Sequence, residues 1–147
     1  MLAEAIVARL RQSDPARNVE VSIAPKVVAL GDTGLLDSVL ENLLSNAWKF
    51  TGNTQGARIE FGAEVVDEEL VCHVRDNGAG FDMAYAGYLF APFQRLHRPT
   101  EFPGNGVGLA TAKRIMARHG GRIWADAALN RGATFYFALP QASTKRI

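Results

Sequence analysis

The sequence predicts an α/β (α+β) two-layer sandwich, in which a mixed, mostly antiparallel sheet of about five strands is covered on one face by three helices. Three observations predict this fold. Apolar residues recur at helical spacing in three segments, and pairs of strand-like segments joined by turn residues lie between them. The elements follow the order α-ββ-α-ββ-loop-α-ββ, which differs from the regular alternation of a parallel α/β fold.

The composition is that of one globular domain with its own core. The 147 residues are 48% hydrophobic and 21% charged, and a formal net charge of +1 argues against a nucleic-acid-binding surface. The single cysteine, Cys72, cannot form an internal disulfide, and the three histidines lack the spacing of a zinc site. No apolar run approaches the roughly 20 residues that span a bilayer, and the N-terminus lacks the layout of a signal peptide. We therefore expect a cytoplasmic or cytoplasm-facing domain without membrane insertion.

The first elements are a short helix and a hairpin. Apolar residues at helical spacing predict an amphipathic helix over residues 1–12, which ends before Pro15. Residues 19–23 then alternate between apolar and polar side chains, and residues 27–30 form a second apolar run. We expect these two runs to pair as a hairpin.

The second helix is the clearest in the sequence. Asp32 or Thr33 can cap a helix over residues 34–50, whose apolar residues form one broad face. Strand-like segments follow at residues 57–64 and 70–75, with turn residues before and between them. They predict a second hairpin.

The remaining chain contains a long irregular segment, one helix and two strands. Residues 76–105 have no periodicity and are rich in glycine and proline, which is typical of a functional lid or binding loop. A helix over residues 107–119 ends at two glycines, and strands are expected at 122–127 and 133–139. Residues 141–147 are expected to form a loose tail.

Three polar side chains lie together on the second helix. Asn42, Asn46 and Lys49 fall within an arc of about 60° at the margin of its apolar face. An ordinary solvated face is one interpretation. Asparagine is a weak helix former, however, so two of them one turn apart reduce helix stability unless they bind something. We therefore favour a functional role for this edge of the helix.

The segment from Asp76 to Gly80 directly follows a predicted strand, and two interpretations remain open. Its Asn-Gly pair is typical of a hairpin turn. Alternatively, Asp76 offers a carboxylate at the end of the strand, while Gly78 and Gly80 allow the backbone to approach a flat ligand.

The glycines of residues 104–108 open the third helix. Neither a preceding strand nor a following Gly-Lys-Ser/Thr is present, so the segment is neither a dinucleotide fingerprint nor a P-loop. Free amide N–H groups at a helix N-terminus nevertheless suit a phosphate. A flexible loop that happens to precede a helix is the alternative, which leaves the position of the glycines unexplained.

Aromatic and basic residues fill the segment between the two glycine clusters. Phe90 and Phe93 can anchor a loop, and Arg95 and Arg98 can meet a phosphate, although core packing is the better interpretation of the aromatic pair alone. His97 could be a phosphoacceptor or a general base. Because no carboxylate accompanies it in the sequence, we favour a position in a lid.

The order of these segments resembles a known family. They resemble the N, G1, F and G2 boxes of the ATP-binding catalytic domain of sensor histidine kinases, within the family that also contains gyrase-type, Hsp90-type and MutL-type ATPases. The resemblance covers residues 19–140, and two stretches resemble most closely the kinases of the phytochrome and PAS-linked kind. The four boxes correspond to residues 43–51, 76–81, 90–97 and 104–110, and the two stretches are residues 93–97 and 118–124.

The resemblance implies a role for each residue of the helical edge. Asn46 would be the Mg²⁺ ligand, supported by Asn42 one turn earlier. Lys49 would reach the phosphates, Phe50 would lie beside the adenine, and Arg95 would approach the γ-phosphate. Because amide oxygens are neutral ligands, we expect little Mg²⁺ affinity without nucleotide.

The glycine segments gain roles by the same resemblance. Asp76 would accept the adenine amino hydrogen, and Gly78 and Gly80 would shape that pocket. Thr134 resembles the final box near the adenine. A mobile ATP lid over the phosphates would be formed by Gly104, Gly106, Val107, Gly108 and Leu109.

The implied function is transfer of the γ-phosphate of Mg·ATP to a histidine. In sensor kinases this histidine belongs to a dimerisation domain and lies in a His-Glu/Asp-Leu-Arg-x-Pro motif, a context that His73, His97 and His119 all lack. We therefore expect residues 1–147 to be one catalytic domain, cut from a longer kinase or acting in trans. Residues 1–12 would be its first helix or a remnant of the connection, and a response regulator would be an indirect partner.

Three alternatives remain at this stage. In gyrase-like and Hsp90-like relatives a glutamate activates water at the position of Asn42, which cannot act as a base, and Glu41 points about 100° away. Slow ATP hydrolysis is therefore expected, and a true ATPase is disfavoured. An ATP-binding regulatory module without transfer is less consistent with the intact residue set. A serine kinase of the anti-sigma-factor type is less consistent with the long segment around Phe90 and Phe93.

Overall fold

The predicted fold class is confirmed. The computed structural model describes residues 2–24, 33–83, 90 and 108–140. Its described elements are α1 (Leu2–Ser13), β1 (Glu20–Ile23), α2 (Thr33–Phe50), β2 (Arg58–Val66), β3 (Glu69–Asp76), α3 (Gly108–Arg118), β4 (Arg122–Ala127) and β5 (Ala133–Pro140). The strands form one sheet in the order β1-β2-β3-β5-β4, antiparallel except at one edge.

The exception is the edge pair, which differs from the expected first hairpin. β1 pairs in parallel with β2, with Glu20 opposite Arg58. Parallel neighbours need a crossover connection, and α2 lies between these two strands in the chain. The expected hairpin partner, residues 27–30, lies outside the described residues.

The helices cover the face of the sheet that carries the apolar side chains. Val39, Leu43 and Leu44 of α2 are at most 1% exposed, and they belong to the same core as Ile6 of α1 and Met116 of α3. The sheet contributes alternate residues to this core, namely Phe61, Leu70, Cys72, Val74, Phe135, Phe137 and Leu139. Because α2 packs at the centre of this core, only the margins of its buried face can present polar groups. No helix in the described ranges is both long and apolar enough to span a membrane.

The two-residue turn between β2 and β3 is strained. Val66 pairs with Glu69 across it, and the two residues between them, Asp67 and Glu68, have φ values of 50° and 66°. Positive φ at both central positions is typical of a type I′ hairpin turn, and glycine adopts it without steric cost. We expect Glu68→Gly to raise the free energy of unfolding by about 0.5–1 kcal/mol, measured by urea denaturation. Glu64→Gly, within β2, should lower it, and a loss in both variants would contradict the assignment of strain.

Candidate functional site

The polar edge of α2 lies against the start of α3. Asn42 and Asn46 are half-buried and Lys49 is exposed. A Cβ atom at Gly108 would lie 2.7 Å from Oδ1 of Asn42, so a larger first residue of α3 would displace the Asn42 amide. Neither amide has a hydrogen-bond partner among the described residues. The structure thus brings together Asn42 and Gly108, two of the residues that the sequence analysis assigns to the site.

Glu41 faces the other way. Its Oε1 atom forms an ion pair with Arg9 of α1 at 2.9 Å, and its Oε2 atom accepts a hydrogen bond from Ser45 at 3.3 Å. The carboxylate is therefore engaged on the α1 side of the helix. This agrees with the expectation that adjacent helical positions diverge by about 100°.

Asp76 ends β3 on the core side of the sheet. It is 5% exposed, and its Oδ1 atom accepts a hydrogen bond of 2.8 Å from the backbone N–H of Gly78. Burial raises the pKa of this carboxyl to about 6, against the lowering effect of backbone N–H groups of Gly78 and Ala133. A buried carboxylate is suited to accepting a hydrogen bond from a donor group of a ligand.

The loop after Asp76 is not a hairpin turn. β3 pairs with β2 and β5, and residues 77–83 form no strand that returns along it. This excludes the first of the two interpretations left open for the Asn-Gly pair. We call residues 76–81 the glycine loop.

One side of the glycine loop is joined to the C-terminus of α2. The N–H of Ala79 donates to the carbonyl of Phe50 at 3.0 Å. A Cβ atom at Gly78 would lie 2.3 Å from the same carbonyl oxygen, so only glycine permits this approach. Phe50 is half-buried at this junction. The end of α2 and the buried Asp76 therefore share one fixed backbone contact.

The other side of the loop rests on the turn between β4 and β5. The N–H of Asn130 donates to the carbonyl of Ala79 at 2.7 Å. A Cβ atom at Gly80 would lie 2.0 Å from the carbonyl oxygen of Ala128. Gly78 and Gly80 thus have a role that the sequence did not reveal, since both admit neighbouring backbone into close contact.

Gly80→Ala is expected to destabilise the fold strongly. Gly80 has a φ of +63°, so the substitution combines unfavourable backbone geometry with a clash against Ala128. We expect a loss of at least about 2 kcal/mol in the free energy of unfolding. Gly56→Ala is the matched control, because Gly56 has the same φ with nothing within 4 Å of its added Cβ. Equal losses in the two variants, measured by urea denaturation, would contradict the proposed packing role.

Asn77 fastens the start of the loop to β2. Its Oδ1 atom accepts a hydrogen bond of 2.7 Å from the N–H of Arg58, and its Nδ2 atom donates to the carbonyl of Gly56 at 3.0 Å. Sequence reasoning missed this residue because an Asn-Gly pair is read first as turn chemistry. The amide instead holds the position of Asp76 against the neighbouring strand.

Thr134 does not join Asp76. In the register of β3 and β5, Ala133 lies opposite Asp76 and Thr134 lies opposite Arg75. The Thr134 hydroxyl accepts a hydrogen bond from Nε of Arg75 at 3.2 Å, on the face away from the core. Alternation of side chains along β5 is the reason, and it places Ala133 on the side of the carboxylate.

Several predicted residues fall outside the described part of the chain. They include Arg95, which was predicted to approach the γ-phosphate, the predicted lid residues Gly104, Gly106 and Val107, and His97. Leu109 packs against the core at the start of α3. Phe90 packs edge-on against Phe135, with ring centroids 6.4 Å apart, as the core-packing interpretation expects.

The other two histidines have structural partners. His73 lies on the open face of the sheet, with Nε2 2.8 Å from a carboxylate oxygen of Glu60. His119 has Nδ1 2.9 Å from the carbonyl oxygen of Ile115, near the end of α3. Neither belongs to the site formed by α2, the glycine loop and α3. The described residues contain no cluster of three His, Cys, Asp or Glu side chains that could hold a metal ion.

Comparisons with known proteins identify the family of this chain. The sequence pattern of the family described as "Histidine kinase-, DNA gyrase B-, and HSP90-like ATPase" matches residues 31–143. Cyanobacterial phytochrome A of Nostoc sp. is 40% identical over 138 residues, which are 94% of this chain and 18% of that protein. The chain therefore spans less than a fifth of the length of this relative.

Solved structures give the same result for the fold. The mycobacterial sensor histidine kinase MprB matches with a TM-score of 0.78 and 27% identity, over 95% of this chain and 93% of that one. Full-length ShkA, solved in complex with AMPPNP, matches with a TM-score of 0.78 and 26% identity, over 95% of this chain and 29% of that one. The chain therefore belongs to the histidine kinase-, DNA gyrase B- and HSP90-like ATPase family, as a catalytic domain of the histidine kinase type.

Proposed function

We propose that this chain binds Mg·ATP and transfers the γ-phosphate to a histidine on a separate dimerisation domain, as the catalytic domain of a two-component sensor histidine kinase. One observation carries the proposal. The polar edge of α2 meets the start of α3 at Asn42 and Gly108, and the end of α2 meets the glycine loop at Phe50 and Ala79. A nucleotide in this corner would have the helical edge, the helix N-terminus and buried Asp76 within reach.

The adenine end would be read by Asp76. Its buried carboxylate would accept the exocyclic amino hydrogen, and Phe50 would lie beside the ring. Gly78 and Gly80 would form the floor of this pocket in addition to their packing role. A buried, charged acceptor would discriminate strongly between adenine and a base that lacks the amino group, because such a base would leave the carboxylate unpaired.

The metal would be held by Asn46, supported by Asn42. Their side-chain oxygens are hard donors of the kind that Mg²⁺ accepts; both side chains are half-buried, and that of Asn42 lies beside the start of α3. The amides carry no charge, so the donor set fits Mg²⁺ that arrives with the phosphates of ATP. When bound, the ion would neutralise charge on the transferring phosphoryl group.

The remaining residues would orient the phosphates. Lys49 and Arg95 would supply positive charge, and the backbone N–H groups of the lid and of the first turn of α3 would cradle the phosphate oxygens. The lid comprises Gly104, Gly106, Val107, Gly108 and Leu109. Phosphoryl transfer passes through a loose transition state, so positioning and charge neutralisation are the main requirements. The attacking imidazole and any base beside it would belong to the partner domain.

The described part of the α2 edge offers no base that would activate water. Asn42 cannot accept a proton, and the carboxylate of Glu41 is paired with Arg9 and Ser45. Bound ATP would therefore persist until the acceptor histidine arrives. Fast hydrolysis that is lost in Glu41→Gln would instead support an ATPase.

The rest of the reaction would lie outside this chain. We propose that residues 1–147 form one catalytic domain that works in the cytoplasm, in cis or in trans, on a dimerisation and phosphoacceptor domain. A response regulator would receive the phosphate afterwards. Neither nucleic acid nor membrane insertion is part of this proposal.

The test is a phosphotransfer assay between two purified components. The chain is mixed with γ-labelled Mg·ATP and its cognate helical domain, and the label on that domain is treated with acid and with base. Acid-labile, base-stable phosphate that is absent when the acceptor histidine is replaced by glutamine supports the proposal. Acid-stable phosphoserine would favour a kinase of the anti-sigma-factor type. Binding of ATP without transfer would favour a regulatory module.

A further inference from the structure

Arg17, in the connection between α1 and β1, reaches the last turn of α2. Its guanidinium donates to the carbonyl oxygen of Trp48 and, at 2.9 Å, to the hydroxyl of Thr51. Its central carbon lies 4.8 Å from the centroid of the Trp48 ring. Trp48 is 6% exposed and Thr51 is fully buried. One side chain thus contacts α2 from outside through two hydrogen bonds and a stacked ring.

This contact completes the C-terminal cap of α2. The last four carbonyls of a helix have no partner within the helix. Here those of Ala47, Lys49 and Phe50 accept backbone N–H groups from Thr51, Gly52 and Ala79, respectively. The carbonyl of Trp48 accepts from Arg17, and the Thr51 hydroxyl lies 2.8 Å from the carbonyl oxygen of Ala47 and 3.1 Å from that of Trp48, between which its single hydrogen is shared. A cation at this end also interacts favourably with the helix dipole.

Two contacts from outside α2 hold the residues on either side of Lys49. The glycine loop holds the carbonyl of Phe50 through Ala79, whereas Arg17 holds the carbonyl of Trp48. Lys49 lies between them and is the exposed cation of the polar edge. Its direction therefore depends on the geometry of a turn that is fixed on both sides.

The chemistry requires arginine. A guanidinium is planar and donates in a fork, so it can serve two acceptors while it stacks on an indole ring. Burial lowers the pKa of Arg17, an effect that Asp14 opposes, and an arginine side chain remains charged in proteins. Lysine would keep the charge but lose the fork and the stacking.

We propose that Arg17 is a positioning residue for the nucleotide site, which fixes the last turn of α2 so that Lys49 points toward the phosphates of bound ATP. This inference rests on the function proposed above. Arg17 lies outside all four sequence motifs, and it acts through Trp48 and Thr51 without touching the nucleotide.

The test compares ATP affinity in three variants by titration calorimetry. Arg17→Met is expected to weaken Mg·ATP binding about tenfold, and Arg17→Lys about threefold, because the charge alone restores part of the cap. Arg9→Met is the matched control, since Arg9 also pairs with a residue of α2 from outside, at an exposed site. It should bind as the wild type does. Thermal unfolding establishes the temperature range in which each variant is folded, and the titrations are run within it.

A double-mutant cycle separates positioning from mere stability. In a Lys49→Met background, Arg17→Met should weaken ATP binding less than about threefold, because the group that it positions is gone. The same tenfold loss with and without Lys49 would overturn the proposal, as would a folded Arg17→Met with wild-type affinity. If Arg17→Met does not fold, the same double-mutant cycle is measured with Arg17→Lys in its place. Failure of the wild type to bind Mg·ATP would refute the proposed function itself. That result is distinguishable from failure of the Arg17 proposal, in which the wild type binds and the variants do not behave as expected.

Discussion

Asp76→Asn is expected to weaken ATP binding at least about 100-fold and to make the nucleotide-free protein more stable at neutral pH. The wild-type carboxyl is 5% exposed, and burial raises its pKa from 3.8 to about 6. The fold therefore favours the neutral acid. Asparagine is always neutral, and its side-chain oxygen can still accept the hydrogen bond from Gly78.

The sign of the pH dependence follows from linkage. The favourable contribution of Asp76 to stability is present below pH 3.8 and is lost as the pH rises through about 6. The difference between a pKa of 3.8 and one of about 6 corresponds to about 3 kcal/mol, so the free energy of unfolding of Asp76→Asn should exceed that of the wild type by up to this amount at pH 7.5. The gain should shrink toward zero near pH 4. Thermal unfolding monitored from pH 4 to pH 8 measures it.

Binding should change in the opposite direction. Asparagine can present an amino group to the adenine, which already offers a donor, so we expect a loss of at least about 100-fold in ATP affinity. Wild-type affinity should itself fall below pH 6, as Asp76 takes up a proton. Asp126→Asn, at an exposed position on β4, is the control and should leave both properties unchanged. An Asp76→Asn protein that binds ATP normally would remove this residue from the site.

Asn46→Ala is expected to remove the metal-dependent part of nucleotide binding. The variant should bind ATP in the presence of EDTA as the wild type does, but it should gain little affinity when Mg²⁺ is added. Phosphotransfer at saturating ATP should fall about 100-fold or more, because charge on the transferring group is no longer neutralised. Titration calorimetry with and without Mg²⁺, followed by single-turnover transfer, measures the two effects separately.

The control for this variant is Asn53→Ala. Asn53 is exposed in the turn after α2. Its substitution tests whether loss of any asparagine near the end of this helix changes the effect of Mg²⁺ on ATP affinity. It should behave as the wild type. Tight Mg²⁺ binding to the nucleotide-free wild type, or an unchanged Mg²⁺ effect in Asn46→Ala, would contradict the assigned ligand.

Local periodicity was sufficient for most of the fold. The helix predicted over 34–50 is observed as Thr33–Phe50, and the strands predicted at 122–127 and 133–139 are observed as Arg122–Ala127 and Ala133–Pro140. Pairing was harder to foresee. β1 joins β2 in parallel across α2, and such a register depends on packing between distant segments that a local pattern does not contain.

Candidate site residues could be predicted where a polar residue occupies a position that is unfavourable for it in its own helix or strand. Two asparagines at the margin of a buried helical face and an aspartate at a strand end are such anomalies. Arg17 was not predictable, because its partners lie 31 and 34 residues away and no local pattern connects them. The face of Thr134 could have been deduced, since alternation with buried Phe135 places it away from the core.

The central claim is that α2 and the glycine loop form one nucleotide site. Backbone amide NMR spectra of the labelled chain, recorded during titration with Mg·ATP, test it most directly. We predict that the largest saturable shifts occur together at Asn42, Asn46 and Lys49 and at Asp76 to Gly80, with one dissociation constant. Shifts confined to the open face of the sheet around His73 and Tyr136, or no saturable shifts in either element, would contradict the account.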